Sequence, residues 1–313
     1  MSGGIDNGTY CPRLWDEAFI DEHGRVYTCC HCLPEVLGRI YDEPLEEIVN
    51  NETTRRLRRE SLEGRLACYR NCTLLDKSAP VERKEYLEIE YAELKRLKLM
   101  FGEACNIDCI MCWQDSRNTL SLDFGRMKGN LDLAPFTSIE LQGGEPLFIP
   151  SATAFFDHAA AAGKKISFLT NGMMISEEWA EKIARHSDFV YFSLNAATKE
   201  THELVNRGSR WERVLGGIGR VLEARKRLGT DLKVWGHMTI VRQNLDEIDL
   251  FIERFPDLGF DAIDFGIDAP VTRHLRFHPL RKRALRRRVR SALERSPFRE
   301  SVNDLRLRIL GLA

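Results

Sequence analysis

The chain has 313 residues, 43% of them apolar, which is enough for one large core and a smaller appended module. Its net charge is −1, yet residues 271–313 hold 13 Lys or Arg and 3 Asp or Glu, giving this segment +10 and the remainder −11. It contains no apolar run of about 18 residues that would predict a membrane span, and the N-terminus lacks the pattern of a secretory signal. We therefore predict a cytoplasmic protein whose nine Cys are thiols or metal ligands rather than disulfides.

Six of the nine Cys fall within residues 1–80, which we predict to be a separate module. Cys11 is followed by twelve residues, Gly24, four residues and Cys29, and the pair Cys68 and Cys72 comes later. Gly24 suits a hairpin turn because glycine adopts left-handed backbone conformations at low cost. The strand after that turn would then deliver Cys29 to the module.

The next segments are predicted to be a connector helix and an α/β domain. Residues 81–94 are charged and helix-like, and residues 95–270 alternate between strand-like and helix-like runs. The predicted strands are 97–101, 138–141, 166–169, 189–194, 232–241 and 262–267. The predicted helices between them are 152–162, 177–185, 211–228 and 244–255. Because strands that alternate with helices form βαβ units, the fold class is α/β with a parallel sheet.

Two motifs within this domain carry chemistry. Cys105, Cys109 and Cys112 have C-x3-C-x2-C spacing, and a Gly-Gly-Glu-Pro run at 143–146 follows a predicted strand directly. Three thiolates on one loop can hold three irons of a [4Fe–4S] cluster, which normally takes four Cys, so one iron stays open to a cofactor. Taken alone, the triplet is also compatible with a zinc or redox site.

Together the Cys triplet and the Gly-Gly-Glu-Pro run resemble the radical S-adenosylmethionine (SAM) superfamily. The resemblance implies a partial (β/α)6 barrel and a [4Fe–4S] cluster, held by Cys105, Cys109 and Cys112, that binds SAM. It also implies reductive cleavage of SAM to a 5′-deoxyadenosyl radical that abstracts hydrogen from a substrate. An electron donor of the reductase, flavodoxin or ferredoxin type would be required.

The same resemblance predicts which residues contact SAM. They are Gly143, Gly144, Glu145, Pro146, Thr170, Asn171, Ser193, Asn195 and Trp113. For Thr170, Asn171, Ser193 and Asn195 the alternative is ordinary capping or turn chemistry. For Trp113 the alternative to packing on adenine is core packing.

The Cys pattern of residues 1–80 resembles the SPASM/Twitch module of radical SAM enzymes. This resemblance implies a second, auxiliary [4Fe–4S] cluster, and its ligands would be Cys11, Cys29, Cys68 and Cys72. Cys30 or Cys32 could replace Cys29, and a structural zinc site is the alternative reading of the whole set. In the family the module commonly follows the barrel, whereas here it precedes it.

Three further features have both a functional and a structural interpretation. Cys30 and Cys32 could donate hydrogen to a substrate radical or be buried structural thiols. His237, on a predicted strand, could face the cavity as a catalytic residue or be a satisfied core residue. The tail over 271–313 places Leu285, Val289, Ala292 and Leu293 at helical spacing, which predicts a packed basic helix, although it could instead attract an anionic substrate or nucleic acid.

We therefore predict a radical SAM oxidoreductase or modifying enzyme. Its substrate would be a small, possibly anionic metabolite, such as a sugar, amino-sugar or nucleotide-like intermediate of natural-product biosynthesis. The alternatives are modification or epimerisation of a ribosomally made peptide and, in a different class, a zinc-binding interaction protein. Neither a membrane nor a nucleic acid is expected as a partner.

Overall fold

The computed structural model describes residues 10–29, 35–66 and 82–313. They divide into two compact units: residues up to 102 with 119–143 and 149–166, and residues 103–118 and 144–148 with 167–313. Cys30, Cys32, Cys68 and Cys72 lie outside the described residues. The predicted boundaries near 80, 94 and 270 stay predictions, since the compact units group the chain differently. Among the described residues, no helix has the length and apolar character needed to cross a membrane.

The strands and helices follow one another in the predicted alternating order. The strands are β1 (Glu17–Ile20), β2 (Arg25–Tyr27), β3 (Gly38–Arg39), β4 (Arg96–Met100), β5 (Asp108–Cys109), β6 (Ser138–Gln142), β7 (Ile166–Thr170), β8 (Phe189–Ser193), β9 (Asn206–Arg207), β10 (Lys233–Ile240) and β11 (Ala262–Ile267). The helices are α1 (Arg13–Asp16), α2 (Leu45–Ile48), α3 (Glu52–Leu62), α4 (Phe124–Met127), α5 (Pro150–Ala161), α6 (Glu177–His186), α7 (Lys199–Val205), α8 (Trp211–Leu228), α9 (Ile248–Arg254), α10 (Ala269–Phe277), α11 (Pro279–Arg295) and α12 (Leu305–Leu310).

In the first unit the strands are hydrogen-bonded in the order β3–β2–β1–β4–β6. The predicted hairpin is confirmed: β1 and β2 are antiparallel, and Gly24 lies in the turn with φ of 74°. A side chain there would also collide with the Tyr41 ring, 2.6 Å from the Cβ position. On its other edge β1 pairs in parallel with β4, so the Cys-rich segment continues the sheet.

The predicted connector helix over 81–94 is wrong for the residues that the structure describes. Residues 82–90 are not helical, and a single 3-10 turn covers Tyr91–Glu93. The Asn50 side chain bonds the backbone N–H and C=O of Ile89, and Arg58 donates to the Leu87 carbonyl at 2.7 Å. Because side chains of the first unit satisfy these backbone groups, they do not form the hydrogen bonds of a helix.

In the second unit the main strands pair in parallel in the order β7–β8–β10–β11. The alternation of buried and half-buried residues along β10 gives this sheet two different faces. Val234, Met238 and Ile240 are fully buried on one face, while His237 and Thr239 are half-buried on the other. The first unit contains the parallel pair β4 and β6. Within each unit parallel strands alternate with helices along the chain, and the predicted α/β class is confirmed.

The basic tail forms α10, α11 and α12, also in the second unit. As predicted, Leu285, Val289, Ala292 and Leu293 are its buried residues in α11. Three Arg of α11 form ion pairs with acidic residues of the preceding α9 region: Arg281 with Asp246, Arg288 with Asp249 and Arg295 with Glu253, at 2.6, 2.6 and 2.7 Å. The interpretation as a packed helix with a basic outer face therefore agrees with the structure.

Candidate cluster and cofactor site

The three Cys of the triplet lie on one short loop of the second unit. Cys105 N donates to the Ser116 carbonyl at 3.0 Å, and Cys112 N donates to the Cys109 carbonyl at 3.0 Å. The middle of the loop forms β5, in which Cys109 pairs with Asn206 of β9. Cys105 and Cys109 are half-buried and Cys112 is exposed. The loop therefore presents three thiols from a backbone fixed at several points.

The electrostatics of this loop suit a positively charged group. Burial is the main cause that raises the pKa of Cys105 to about 11 and that of Cys109 to about 12, and neighbouring anionic groups raise both further. For Cys109 the neighbouring charges are those of Cys105, Cys112 and Asp108. Three thiolates here would repel one another, so they become stable only when iron or another cation neutralises them. Among the described residues, no three potential ligands are placed to bind one metal ion. A [4Fe–4S] cluster does not require this, because each thiolate binds a different iron.

The glycines of the Gly-Gly-Glu-Pro run permit two close backbone approaches. A Cβ on Gly144 would lie 2.1 Å from the Ala104 carbonyl oxygen, next to Cys105 in the same unit. In the first unit, Gly143 has φ of 109°, and its Cβ would lie 2.3 Å from the Gly102 carbonyl oxygen. No other residue type fits at either position without a backbone shift.

Glu145 connects the Gly-Gly-Glu-Pro run to the end of β7. Its carboxyl oxygens accept hydrogen bonds from Thr170 Oγ1 at 2.9 Å, the Asn171 N–H at 2.7 Å and the Leu147 N–H at 3.2 Å. Burial nevertheless raises its pKa to about 7, because the loss of water outweighs these donors. The carboxyl group thus holds the predicted SAM-contacting loops together from inside the unit.

The end of β8 is fixed by a network of buried amides. Asn195 has φ of 59°, a left-handed conformation that Asn tolerates better than most residues. Its Oδ1 accepts from the Thr239 N–H at 2.8 Å and its Nδ2 donates to Asn206 Oδ1 at 2.9 Å. The side chains of Asn195 and Thr170 are therefore engaged within the protein, which agrees with the turn-chemistry alternative. Their contacts with SAM, and those of Ser193, stay predictions.

His237 lies on the half-buried face of β10, in register with Ser193 of β8 and Asp264 of β11. Its Nδ1 is 2.6 Å from Asp264 Oδ1, and its Nε2 is 3.1 Å from Thr239 Oγ1. One row earlier on the same face Tyr191 is paired with Trp235, and their rings pack edge-on at 5.1 Å. His237 is a candidate residue from the sequence alone, whereas its partner Asp264 is revealed only by the strand register.

The structure also describes four other residues of the predicted sites, which are Trp113, Cys11, Cys29 and Pro146. Trp113 is 78% exposed, so it does not belong to the core, and its packing on adenine stays a prediction. Cys11 and Cys29 are both buried in the first unit, and the Cys11 N–H donates to Ser61 Oγ at 2.9 Å. Pro146 is buried beside Glu145.

Two family models match the sequence in the order that the motifs predict. The model of the radical SAM superfamily matches residues 99–255, half of the chain. The model of the SPASM iron–sulfur cluster-binding domain matches residues 11–73. The SPASM match precedes the radical SAM match, as the sequence analysis predicted.

Similar proteins cover several activities. The mycofactocin maturase MftC of Mycolicibacterium smegmatis is 30% identical over 47% of this chain and 38% of its own length. The AdoMet-dependent heme synthase of Methanosarcina barkeri is 28% identical over 54% of this chain and 49% of its own. The subtilosin biosynthesis protein AlbA of Bacillus subtilis is 26% identical over 52% of this chain and 37% of its own. The chain thus matches less than half of each relative.

Among solved structures, Streptococcus suis SuiB bound to its precursor peptide SuiA has a TM-score of 0.44 and 15% identity. That match covers 82% of this chain and 62% of SuiB. The family assignment rests on the two family models and not on this structural match. The three thiols on one loop and the two glycines without room for a Cβ agree with that assignment. The chain belongs to the radical SAM superfamily and includes a SPASM domain, so its cofactors are SAM, the [4Fe–4S] cluster that binds SAM, and an auxiliary iron–sulfur cluster.

Proposed function

We propose that this chain is an enzyme that cleaves SAM reductively and uses the product to modify a ribosomally made peptide. When bound, the cluster and SAM supply a 5′-deoxyadenosyl radical that abstracts hydrogen from the substrate. Cys105, Cys109 and Cys112 would hold the cluster, and the chemistry would require an electron donor of the reductase, flavodoxin or ferredoxin type. The observation that carries the proposal is the placement of three thiols on one fixed loop, against which Gly144 packs without room for a Cβ.

The remaining chemistry assigned to the chain is binding and orientation. Gly143, Gly144, Glu145 and Pro146 hold the methionine part of SAM, and Asn171 and the end of β8 contact the rest of the cofactor. Glu145 keeps the two loops in place through its three accepted hydrogen bonds. Trp113 covers the adenine from the exposed side of the Cys loop. Such positioning is what a protein contributes when a cofactor performs the difficult step.

Cys11, Cys29, Cys68 and Cys72 hold the auxiliary cluster in this proposal. The burial of Cys11 and Cys29 in the first unit supports it, because both thiols are removed from water as cluster ligands would be. With all four irons ligated by Cys, this cluster would not bind substrate. When bound, the cluster would supply electron relay or structural support to the module.

A peptide substrate is favoured over the small metabolite that the sequence analysis put first. Two of the similar proteins are named for mycofactocin maturation and for bacteriocin biosynthesis. SPASM domains also accompany radical SAM enzymes that modify ribosomal peptides. A small metabolite is the second candidate, since a heme synthase is among the similar proteins.

The half-buried face of β8, β10 and β11 is the surface that we assign to the substrate. Ser193, at the carboxyl end of β8, forms a polar row with His237 of β10 and Asp264 of β11, next to the rings of Tyr191 and Trp235. Ligands of parallel α/β folds bind at the carboxyl ends of the strands. His237, oriented by Asp264, would exchange a hydrogen bond or a proton with a polar group of the substrate.

The cofactor assignment is tested by measuring iron and sulfide after anaerobic reconstitution. We expect about eight irons in the wild type and about four in a Cys105/Cys109/Cys112→Ala variant, because each four-Cys or three-Cys site holds one [4Fe–4S] cluster. A wild type with four irons that falls to none in the variant would contradict the auxiliary cluster. Zinc in place of iron would favour the interaction-protein alternative.

The substrate assignment is tested by coexpression with any short peptides that are encoded near this chain's gene. We expect one of them to change mass in the presence of the wild type and to stay unchanged with the Cys105/Cys109/Cys112→Ala control. In a His237→Gln variant, less peptide should be modified for each SAM that is cleaved. Unmodified peptides, together with conversion of a small metabolite by the same enzyme, would exclude the peptide proposal.

A further inference from the structure

The orientation of the Asn171 side chain is fixed by hydrogen bonds on both sides of its amide. Its Oδ1 accepts the N–H of Met173 at 2.9 Å, and its Nδ2 donates to Asn106 Oδ1 at 2.7 Å. Because a backbone N–H can only donate, the oxygen of the amide must face Met173, and the amide cannot be flipped. The NH2 group therefore points to the Cys loop.

The second N–H of this NH2 group points to a thiol of the loop. Nδ2 lies 3.6 Å from Cys105 Sγ, within range for a bond to sulfur, while its other hydrogen is used by Asn106. Asn171 itself is 7% exposed, and its backbone N–H is held by the buried Glu145 carboxyl at 2.7 Å. The donor is thus rigid and shielded from water, so the contact does not depend on a mobile surface side chain.

We propose that Asn171 is a positioning residue that donates a hydrogen bond to the Cys105 thiolate and thereby raises the reduction potential of the SAM-binding cluster. Reduction adds negative charge to the cluster and its thiolates. A hydrogen-bond donor that points to a thiolate sulfur stabilises that charge. Hydrogen bonds to the sulfurs are among the factors that set the potentials of iron–sulfur clusters. Asn171 therefore acts on the electron-transfer step through Cys105, in addition to the SAM contact predicted from the sequence.

This inference rests on the proposed assignment of Cys105 as a cluster ligand. The experiment therefore begins with iron content, which must fall in the Cys105/Cys109/Cys112→Ala variant. If it does not fall, the proposed function and this inference both fail. If the iron content does fall, the Asn171 variants alone test this inference.

The test is the midpoint potential of the reconstituted enzyme without SAM, followed by EPR during a redox titration. Asn171→Leu removes both donors at similar volume, and Asn171→Asp keeps the acceptor for Met173 while replacing the donors with negative charge. We expect the SAM-binding cluster to shift to lower potential in the Leu variant and to still lower potential in the Asp variant. Asn118→Leu is the matched control, since Asn118 Nδ2 donates to the Glu103 carboxylate of the same segment, and its potential should equal that of the wild type.

Pulsed EPR of the reduced enzyme provides an independent readout. The wild type should show an exchangeable proton coupled to the SAM-binding cluster that both Asn171 variants lack. Full iron content with an unchanged potential in Asn171→Leu and Asn171→Asp would overturn the proposal. If the Leu variant does not assemble a cluster, the nearly isosteric Asp variant tests the proposal through its midpoint potential and its proton coupling in pulsed EPR.

Discussion

At the scale of single residues, the candidate site combines groups that a sequence pattern reveals with groups that only packing reveals. The Cys triplet and Gly143–Gly144 are recognisable because their chemistry depends on spacing and on the absence of a side chain. Asp264 was not predictable as the partner of His237, because the pair depends on the register between β10 and β11. The orientation of Asn171 was likewise not readable, since it depends on a backbone N–H two residues later.

The buried carboxyl of Glu145 predicts a specific dependence of stability on pH. Its pKa rises from 4.5 in the unfolded chain to about 7 in the folded protein. The folded state therefore retains a proton that the unfolded state releases, and the associated stability, present in full below pH 4.5, is lost as pH rises to about 7. From the size of the shift, this amounts to about 3 kcal/mol.

We expect Glu145→Gln to remove this dependence. Urea unfolding of the iron-free chain at pH 5 and pH 8 measures it, with exposed Glu178→Gln as the control. The free energy of unfolding of the Glu145 variant, relative to the wild type, should increase between the two pH values, while that of the control stays constant. A constant difference for both variants would show that Glu145 does not titrate in this range.

The close approach of Gly144 to Ala104 predicts a strong effect of a single methyl group. In Gly144→Ala the new Cβ would meet the Ala104 carbonyl oxygen at 2.1 Å, so the backbone must shift at a cost of about 1–3 kcal/mol. The shift would also displace the loop of Cys105 and lower the iron content. Gly219→Ala is the control, because nothing lies within 4 Å of its Cβ position and alanine favours the helix by about 0.5–1 kcal/mol. Thermal unfolding with iron analysis should separate the two variants, and equal behaviour would contradict the prediction.

At the scale of secondary structure, elements with a strong apolar period were predictable. The buried residues of α11 and the limits of α8 agree with the sequence analysis, because each helix has a clear apolar face. The prediction of a helix over 81–94 was wrong. The charge pattern of this segment suits a helix, but its backbone groups form hydrogen bonds with the side chains of Asn50 and Arg58 instead. The seven-residue α7 was missed, since its short polar sequence has no comparable period.

The ion pairs of α11 predict that one of its arginines stabilises the fold and another does not. Arg288 makes two hydrogen bonds to the Asp249 carboxylate, at 2.9 and 2.6 Å. Because the pair is partly exposed, Arg288→Ala should cost about 0.5–1 kcal/mol in low salt and less in high salt. Arg283→Ala, on the exposed side of α11, should have no effect, as no ion pair of Arg283 is observed among the described residues. Denaturant titrations at two salt concentrations would reveal a wrong assignment as equal losses in both variants.

At the scale of the whole molecule, the sequence predicted the order of the SPASM and radical SAM regions and the alternation of strands and helices. The charge segregation noted in the sequence is explained in part within the second unit, where acidic residues of the α9 region pair with the basic α11. The parallel pairing of β1 with β4 was not predictable, because it joins segments that are distant along the chain.

Removal of iron should lower the stability of the whole chain. Thiols that repel one another in the empty loop become paired with iron, and any group that binds only the folded state stabilises it. We expect the reconstituted protein to unfold several degrees above the iron-free form, since about 1 kcal/mol corresponds to about 2–4 °C in domains of 150–250 residues. Anaerobic calorimetry before and after chelation measures the difference, and identical transitions would be inconsistent with clusters bound by the folded state.

The parallel pairing of β1 with β4 also has a consequence for biosynthesis. Phe19 pairs with Lys98, a residue that is translated 79 positions later. At about 5–20 residues per second, the ribosome needs about 4–16 s to synthesise the missing strand. During that interval the β1–β2 hairpin has emerged with an unpaired edge, which is prone to join other chains. Successful production of this protein therefore depends on how the nascent hairpin is protected while its partner strand is still being translated.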